Sequence, residues 1–590
     1  MRRGDTSRTL VLVVSGMASA LMPVTAQGQS APAQAGGMAS PSISPFPSRT
    51  DLPIPLFSSA TGPTATSTVS PPLVSFGLTA EEQGTDNVFS TATKLKADLV
   101  STVKPSASID YNSKRLQVNA TYDLSYNKYL FNSSLDGLTF GGLGVADAEV
   151  INHSLFLDSR LAVTERDASS TGPTTAGTRT AASNRTQVTT YSITPRLEQH
   201  LGHWAIGQVS YSHDESIAST PSSTTNASRS LQQTSLTNGG TNGSNGSNSS
   251  SGNDGKVTLR SGEAFSRLQW IYTGDISRRS EGIGNATKST ASTANGTTGS
   301  NLMNNVTQSF GVEYKINNDV SLLAETGIDD AHGSQINNKI NGVYYNAGLH
   351  WTPSPNTDVR GGYGSRYGTN NLFLLGEHWF GPKTLFRISR SSGLSSDSLS
   401  FVEALNAVQR DPSGTFVDPF SGGAAQPGAA SPTISNATYR QDTTQAFISR
   451  RGDRETVTLS GQLVEQQVVG GVAPNQTVIP GTTLGTSSKT LSLSLSWSHS
   501  FSPLTTLTSS LSWNEVLASS SASGKGQRTQ AQVTLNQQLG KTLSGYLTYG
   551  YTESNQPSIA NSLVSFSAVN NQSVGKIVDN SVVVGLRKQF

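Results

Sequence analysis

Residues 491–501 read LSLSLSWSHSF, with Leu491, Leu493, Leu495, Trp497, His499 and Phe501 at odd positions and serine at every even one. Side chains of a strand point alternately to its two faces, so this stretch has one apolar face and one polar face. The same period recurs at Leu116, Val118, Ala120, Tyr122, Leu124 and Tyr126. It recurs again at Ala531, Val533, Leu535, Gln537 and Leu539, and at Leu543, Gly545, Leu547, Tyr549 and Tyr551. A strand in a globular sheet runs about 5–6 residues. These alternations run roughly 10–14, the length a tilted strand needs to cross a bilayer.

The spaces between the alternations are of two kinds. Gly202-His203, Ser261-Gly262, Asn317-Asn318-Asp319, Gly381-Pro382-Lys383, Ser502-Pro503-Leu504 and Gly540-Lys541 are short. The stretches near 167–185, 215–253, 280–303, 393–437, 470–487 and 555–575 are long and polar. Outer-membrane barrels have short periplasmic turns and long external loops. The reading is therefore all-β: a transmembrane antiparallel up-and-down β-barrel over 73–590, of about 22 strands with both termini inside. The spans 74–84, 137–149 and 254–260 alternate least cleanly, and losing one hairpin leaves about 20 strands. The long loops, 215–253 and 393–437 above all, are expected outside, with one short helix over Leu399–Val408. Trp351, Trp379, Phe380, Trp497 and Phe501 end downward strands and Trp204 begins an upward one, so they are expected to form an aromatic girdle at the periplasmic interface.

Composition agrees and excludes other classes. The chain of 590 residues is 34% hydrophobic and 14% charged, both below globular norms, and the balance is Ser, Thr, Asn, Gln and Gly. A net charge of +2 offers no basic face for nucleic acid. The absence of cysteine removes disulfides and Cys-based zinc sites. Arg2, Arg3 and Arg8 before an apolar stretch from Leu10 to Leu21, then Val24-Thr25-Ala26, are the layout of a signal peptide over 1–26, cleaved near Ala26. Residues 27–72 are rich in Pro, Ala, Ser and Thr and are expected to be a disordered periplasmic leader. The expected location is the outer membrane of a Gram-negative bacterium. The final alternation, Val582, Val584, Leu586, Lys588 and Phe590, ends on an aromatic and resembles the signal that barrels present to their assembly machinery. Phe590 is the residue expected to carry it.

Residues for chemistry are sparse. His200 and His203 flank a turn without evident further ligands, so no metal or cofactor is expected. No nucleophile, base and orienting group stand out, and the chain is not expected to be an enzyme. Arg451-Gly452-Asp453 falls where a periplasmic turn is expected. The lumen carries the candidate site. If Tyr345, Ala347, Leu349 and Trp351 face lipid, His350 faces inward. The same alternation sends Arg260, Arg267, Glu313, Glu325, Arg360, Arg366, Glu377 and Arg387 inward, since a charge at the lipid midplane costs about 2–4 kcal/mol. This set has a positive excess, which predicts mild anion selectivity if the wall is a filter. The competing reading is a salt-bridge ladder.

Several stretches carry a family resemblance. They are Asn184-Arg185-Thr186 with YSITPRLEQHLGHWAIGQVSYSHD (191–214), NHSLFLDSRLAV (152–163), YYNAGLHWTPSPNTDVRGGYGSRY (344–367) and FISRRGDRETVTLS (447–460). Over residues 74–590 the chain resembles exported barrels associated with PEP-CTERM/exosortase systems, a family without established activity. The resemblance implies an outer-membrane barrel in an exopolysaccharide and cell-envelope setting, and supplies no catalytic residues. Two functions follow as expectations: a porin-like channel or export pore, or a structural or surface-display barrel acting through its external loops. The expected partners are outer-membrane lipid, the barrel assembly machinery, and polysaccharide or envelope proteins.

Overall fold

The computed structural model describes residues 73–590 except 93–94, 168–184, 220–247, 283–300, 334–339, 411–415, 418–437, 471–486, 520–525 and 556–575. The signal peptide, the leader and the Asn/Gly/Ser core of the 215–253 loop lie outside these residues.

Twenty-two antiparallel strands form one closed sheet in which each pairs with its neighbours in sequence and the last pairs with the first. They begin with β1 (Leu73–Thr85), β2 (Asp98–Asn112), β3 (Leu116–Tyr129), β4 (Gly137–Ile151), β5 (Leu155–Asp167) and β6 (Arg185–Leu201). Then follow β7 (Ala205–Ser219), β8 (Asn248–Ser261), β9 (Leu268–Gly282), β10 (Asn301–Lys315), β11 (Val320–Gly333) and β12 (Ile340–Ser354). Next are β13 (Thr357–Arg366), β14 (Thr369–Phe380), β15 (Thr384–Ser396), β16 (Thr438–Arg451) and β17 (Glu455–Gly470). The set closes with β18 (Ser487–Ser502), β19 (Thr505–Ser519), β20 (Gln527–Gln538), β21 (Leu543–Asn555) and β22 (Lys576–Gln589). Closure satisfies the backbone polar groups that an open edge would leave bare in lipid.

All three weakly alternating spans are strands. The span expected at 254–260 is longer: β8 starts at Asn248, so 248–253, expected in a loop, are paired. Asn, Gly and Ser are poor strand formers, but the ladders of β7 and β9 on either side supply the hydrogen bonds that hold them extended. On the outer side β13 turns into β14 through Tyr367 and Gly368, both with positive φ (54° and 71°). Two such residues make the tight hairpin whose twist matches the strands. On the inner side the Asn317 carboxamide oxygen accepts from the backbone N–H of Asp319 (2.9 Å) and Val320 (2.8 Å), fixing the β10–β11 turn.

The apolar face is turned outward. Leu493, Leu495, Val533, Leu535, Tyr549, Val582 and Val584 are exposed, while the polar residues between them are more covered. Trp204, Phe265, Trp270 and Phe310 form a chain of ring contacts, with centroids 6.1, 6.1 and 6.5 Å apart, across the inner ends of β7 to β10. With exposed Trp351, Phe380 and Phe501 they form the girdle that amphipathic rings make at the headgroup level. Trp379 does not join it. It stands on the inward face of β14, and its indole N–H donates to Glu377 (2.9 Å). The residue order HWF gave adjacent aromatics, and alternation sends only one face of them to lipid.

The seam between β22 and β1 is reinforced at its outer end. The Asp86 carboxylate accepts from the backbone N–H of Asn580 (2.9 Å) and from its side chain (2.7 Å). Thr85 donates to Asp579 (2.6 Å), and the Asn87 amide donates to the Val578 carbonyl (2.9 Å). At the inner end the backbone N–H of Phe590 donates to the carbonyl of Phe76 (2.8 Å).

Candidate functional site in the barrel lumen

Inward side chains sort into three regions. The first is an ion-paired wall. Arg366 grips Asp329 through two bonds (2.7 and 2.8 Å) and lies over the Tyr344 ring, 4.3 Å from its centroid. Tyr344 donates to Glu325 (3.0 Å), which also accepts from Asn346 (3.2 Å). The ring has room because Gly327 faces it; a Cβ there would stand 2.5 Å from Tyr344 Cε1. Nearer the inner rim His350 lies between Glu313 (2.7 Å) and Asp358 (3.3 Å), and Arg360 also reaches Asp358 (3.5 Å). Arg387 pairs with Glu377 (2.8 Å).

Alternation thus places Arg260, Glu313, Glu325, His350, Arg360, Arg366, Glu377 and Arg387 inside. Arg260 stands across from Ile206 and Ile271. Arg267 is the exception, an exposed residue in the inner connection before β9, because that strand starts at Leu268. The positive excess also disappears. Without Arg267 the set has four inward arginines, and Asp329 and Asp358, absent from the sequence reading, raise its carboxylates to five. Adding the inward aspartates of the same strands to the alternation would have found them.

A further pair lies toward the outer mouth. Arg279 on β9 bonds Asp214 on β7 at 2.8 and 3.0 Å, with both side chains buried (4% and 0% exposed). One strand separates them, and they meet above Gly252 of β8, which is in register with both. A Cβ at Gly252 would stand 2.5 Å from Arg279 Nη2 and 2.7 Å from Asp214 Oδ1. Asp254 lies 3.7 Å from the same guanidinium.

The second region is apolar and joins parts of the wall that are not neighbours. Ile271 of β9 and Leu323 of β11 pack with Phe373 of β14. Ala331 of β11 and Ile340 of β12 pack with Val469 of β17, beside Leu394 of β15. Thr438 of β16 reaches the sulfur of Met303 on β10 (3.8 Å). The outer half of the barrel is therefore drawn in between β10–β12 and β15–β17.

The loop after β15 adds to this closure. Helix α1 (Asp397–Ala407) starts at the end of β15, capped by Ser396, whose hydroxyl accepts from the Leu399 N–H (3.3 Å). It was expected over Leu399–Val408 in an external loop. Instead it touches β5, β6 and β7, and Phe401 packs on Val188, an inward residue of β6. The Glu403 carboxyl is pushed up to about 8, first by desolvation; Arg279 opposes the shift while Asp254 and Asp214 add to it.

The third region is largely uncharged; its exception is Arg528, buried near the outer end of β20 and in register with Asn514. β18 sends in Thr490, Ser492, Ser494, Ser496, Ser498 and Ser500, opposite exposed Leu493 and Leu495. β19 sends in Thr506, Thr508, Ser510, Ser512 and Asn514, and β20 sends in Gln530, Gln532, Thr534, Asn536 and Gln538. From β21 come Ser544, Thr548, Thr552 and Ser554. Hydroxyls bond across strands, as between Ser460 and Ser494 (2.5 Å) and between Thr534 and Thr548 (2.9 Å). The sequence reading of charges alone passed over this region, although the serine alternation at 491–501 already implied it.

His200 and His203 stand on either side of the Gly202 turn. Arg451-Gly452-Asp453 forms the β16–β17 turn, with Asp453 paired to Lys383 (2.7 Å).

An even-stranded closed barrel with an apolar exterior, an aromatic girdle and a polar interior is built for one setting. The chain is an outer-membrane β-barrel. No known family profile matches it, and no curated protein matches it. Solved structures of large barrels are similar in architecture. The FrpB iron transporter from Neisseria meningitidis matches at 8% identity over 88% of this chain and 81% of that one, TM-score 0.47. The siderophore receptor PirA from Acinetobacter baumannii matches at 7% identity over 89% and 81%, TM-score 0.45. The ferric enterobactin receptor PfeA from Pseudomonas aeruginosa matches at 9% identity over 88% and 80%, TM-score 0.44.

Proposed function

We propose that the barrel is a pore of the Gram-negative outer membrane for neutral, polyhydroxylated solutes, in an exopolysaccharide and cell-envelope setting. The observation that carries this reading is the inward face of β18 to β21, where hydroxyls and carboxamides line the wall below Arg528 at the outer end of β20. Hydroxyl and carboxamide groups exchange hydrogen bonds with sugar hydroxyls as readily as with water, and a stretch of wall with so little fixed charge neither traps nor repels by sign. The ion pairs of β9 to β15 do not oppose it, because a neutralised wall has little field to select ions. The resemblance to exosortase-associated barrels supports the setting. In this reading the signal peptide is removed near Ala26, and the strand ending at Phe590 addresses the assembly machinery.

The test is liposome swelling with the purified barrel. Neutral oligosaccharides should enter, and anionic and cationic ones of equal size should enter at similar rates to each other. A clear preference for one sign of charge, or exclusion of neutral oligosaccharides while charged ones pass, overturns the assignment. A second reading, a closed display barrel, is favoured by the apolar packing across the lumen and by α1. It predicts no swelling with any solute.

A further inference from the structure

We propose that α1 is a gate at the outer mouth: docked on β5 to β7 it obstructs the lumen, and passage of solute requires it to leave that wall. The inference rests on the pore reading above.

Its basis is where the helix sits and how it is held. β15, from which it springs, and β6, against which it packs, are nine strands apart in the ring of 22. A circular barrel of that strand number is roughly 40 Å across, from strand spacing and tilt. An 11-residue helix is only about 16 Å long. It bridges β15 and β6 because the mouth is already narrowed, where Ala331 and Ile340 meet Val469 and where Met303 meets Thr438. In this narrowed mouth the helix is a second obstruction, set beside the first.

Its attachment is of a kind that can be undone. The chain enters directly from β15 at the Ser396 cap, which places a hinge at the N-terminal end of the helix, and leaves through Val408 into the short ladder of Gln409–Arg410 with Phe416–Val417. Against β6 it presents Phe401 to Val188. The other strong feature of the contact is unfavourable: Glu403 is carried toward Arg279, a cation already held by Asp214 in a two-bond pair and approached by Asp254. A permanent strut would meet a free cation or an apolar wall there. A carboxyl facing two aspartates instead weakens the docked state and favours release.

Because the chain has no cysteine, thiols can be placed cleanly. Val188→Cys with Phe401→Cys is bridged by a short bis-methanethiosulfonate, each thiolate displacing methanesulfinate to form a reducible disulfide, and conductance is read in planar bilayers. The bridged barrel should conduct several-fold less than the same barrel after reduction, and Phe401→Ala should conduct several-fold more than the unaltered chain. Equal conductance before and after reduction means a fixed strut and overturns the gate. Silence in all forms instead overturns the pore reading. The gate is then judged separately by labelling Val188→Cys on intact cells with an impermeant maleimide. Labelling several-fold faster when Phe401→Ala is added supports release of the helix, and equal rates overturn it. Heat-modifiable migration confirms that each variant is folded.

Discussion

Replacing Arg279 by Met should destabilise the barrel far more than replacing Arg279 and Asp214 together. Asp214 is fully buried and receives two charge-assisted bonds from Arg279, at 2.8 and 3.0 Å. Removing the guanidinium leaves a carboxylate with neither water nor cation. Breaking one side of a buried pair costs about 3–5 kcal/mol. That is roughly two to four powers of ten in the folding equilibrium. Replacing both partners by apolar side chains of similar size is often close to neutral, because the desolvation penalty of the charges goes with them. Asp254 and Glu403 also lose their cation in either variant, but both retain some solvent access and recover part of their hydration. Arg279→Met with Asp214→Leu should thus lie between the single variant and the unaltered chain. Gly252→Ala pushes the far ends of the same two side chains apart, and should cost about 1.5–3 kcal/mol, the range for a hydrogen bond to a charged group. Urea unfolding in vesicles, followed by the fluorescence of the six tryptophans, measures the three variants against the unaltered chain. An Arg279→Met barrel with an unchanged midpoint, or a double variant less stable than the single one, would refute the reasoning.

Other outcomes follow from the same geometry. Changing Arg360, Arg366 and Arg387 to Gln should leave reversal potentials in asymmetric salt nearly unmoved but lower the unfolding midpoint, since Asp329 and Glu377 lose their partners; a clear shift toward cation preference would mean these residues filter ions. Docking of α1 should weaken with rising pH. The Glu403 carboxyl binds its proton more tightly when docked than in water, so docking is strongest below the ordinary carboxylate range, weakens through neutral pH and levels off above about 8. Conductance should rise over that window and lose the dependence in Glu403→Gln; an unchanged profile in that variant separates the effect from Glu403. Deleting Phe590 removes the bond to the Phe76 carbonyl and the terminal aromatic together. Folded yield on heat-modifiable gels should fall while synthesis and export continue, and an undiminished yield would remove the assembly role.

Alternation was enough to read the barrel from sequence because a strand that crosses lipid must separate its faces residue by residue. Leu493, Leu495 and Val584 could only face out, and this also placed Glu313, His350 and Arg366 inside. The same rule failed at Arg267, where it was applied beyond the end of a strand, and at Trp379, where residue type outweighed parity. It was silent on 248–253, since Asn, Gly and Ser there are held by the ladders of β7 and β9 rather than by any pattern of their own.

What lies in the lumen was decided at longer range. No spacing in the chain connects Asp214 with Arg279, 65 residues apart. They meet because β8 puts a glycine between them. Nor does any local pattern bring Val469 to Ala331 or Phe401 to Val188. Lipid imposes a periodic demand that each strand answers alone, so the exterior of this barrel is written in its sequence. The interior depends on which inward residues distant strands bring to the same height, and on how far the closed sheet is drawn in. Only the folded ring sets these distances.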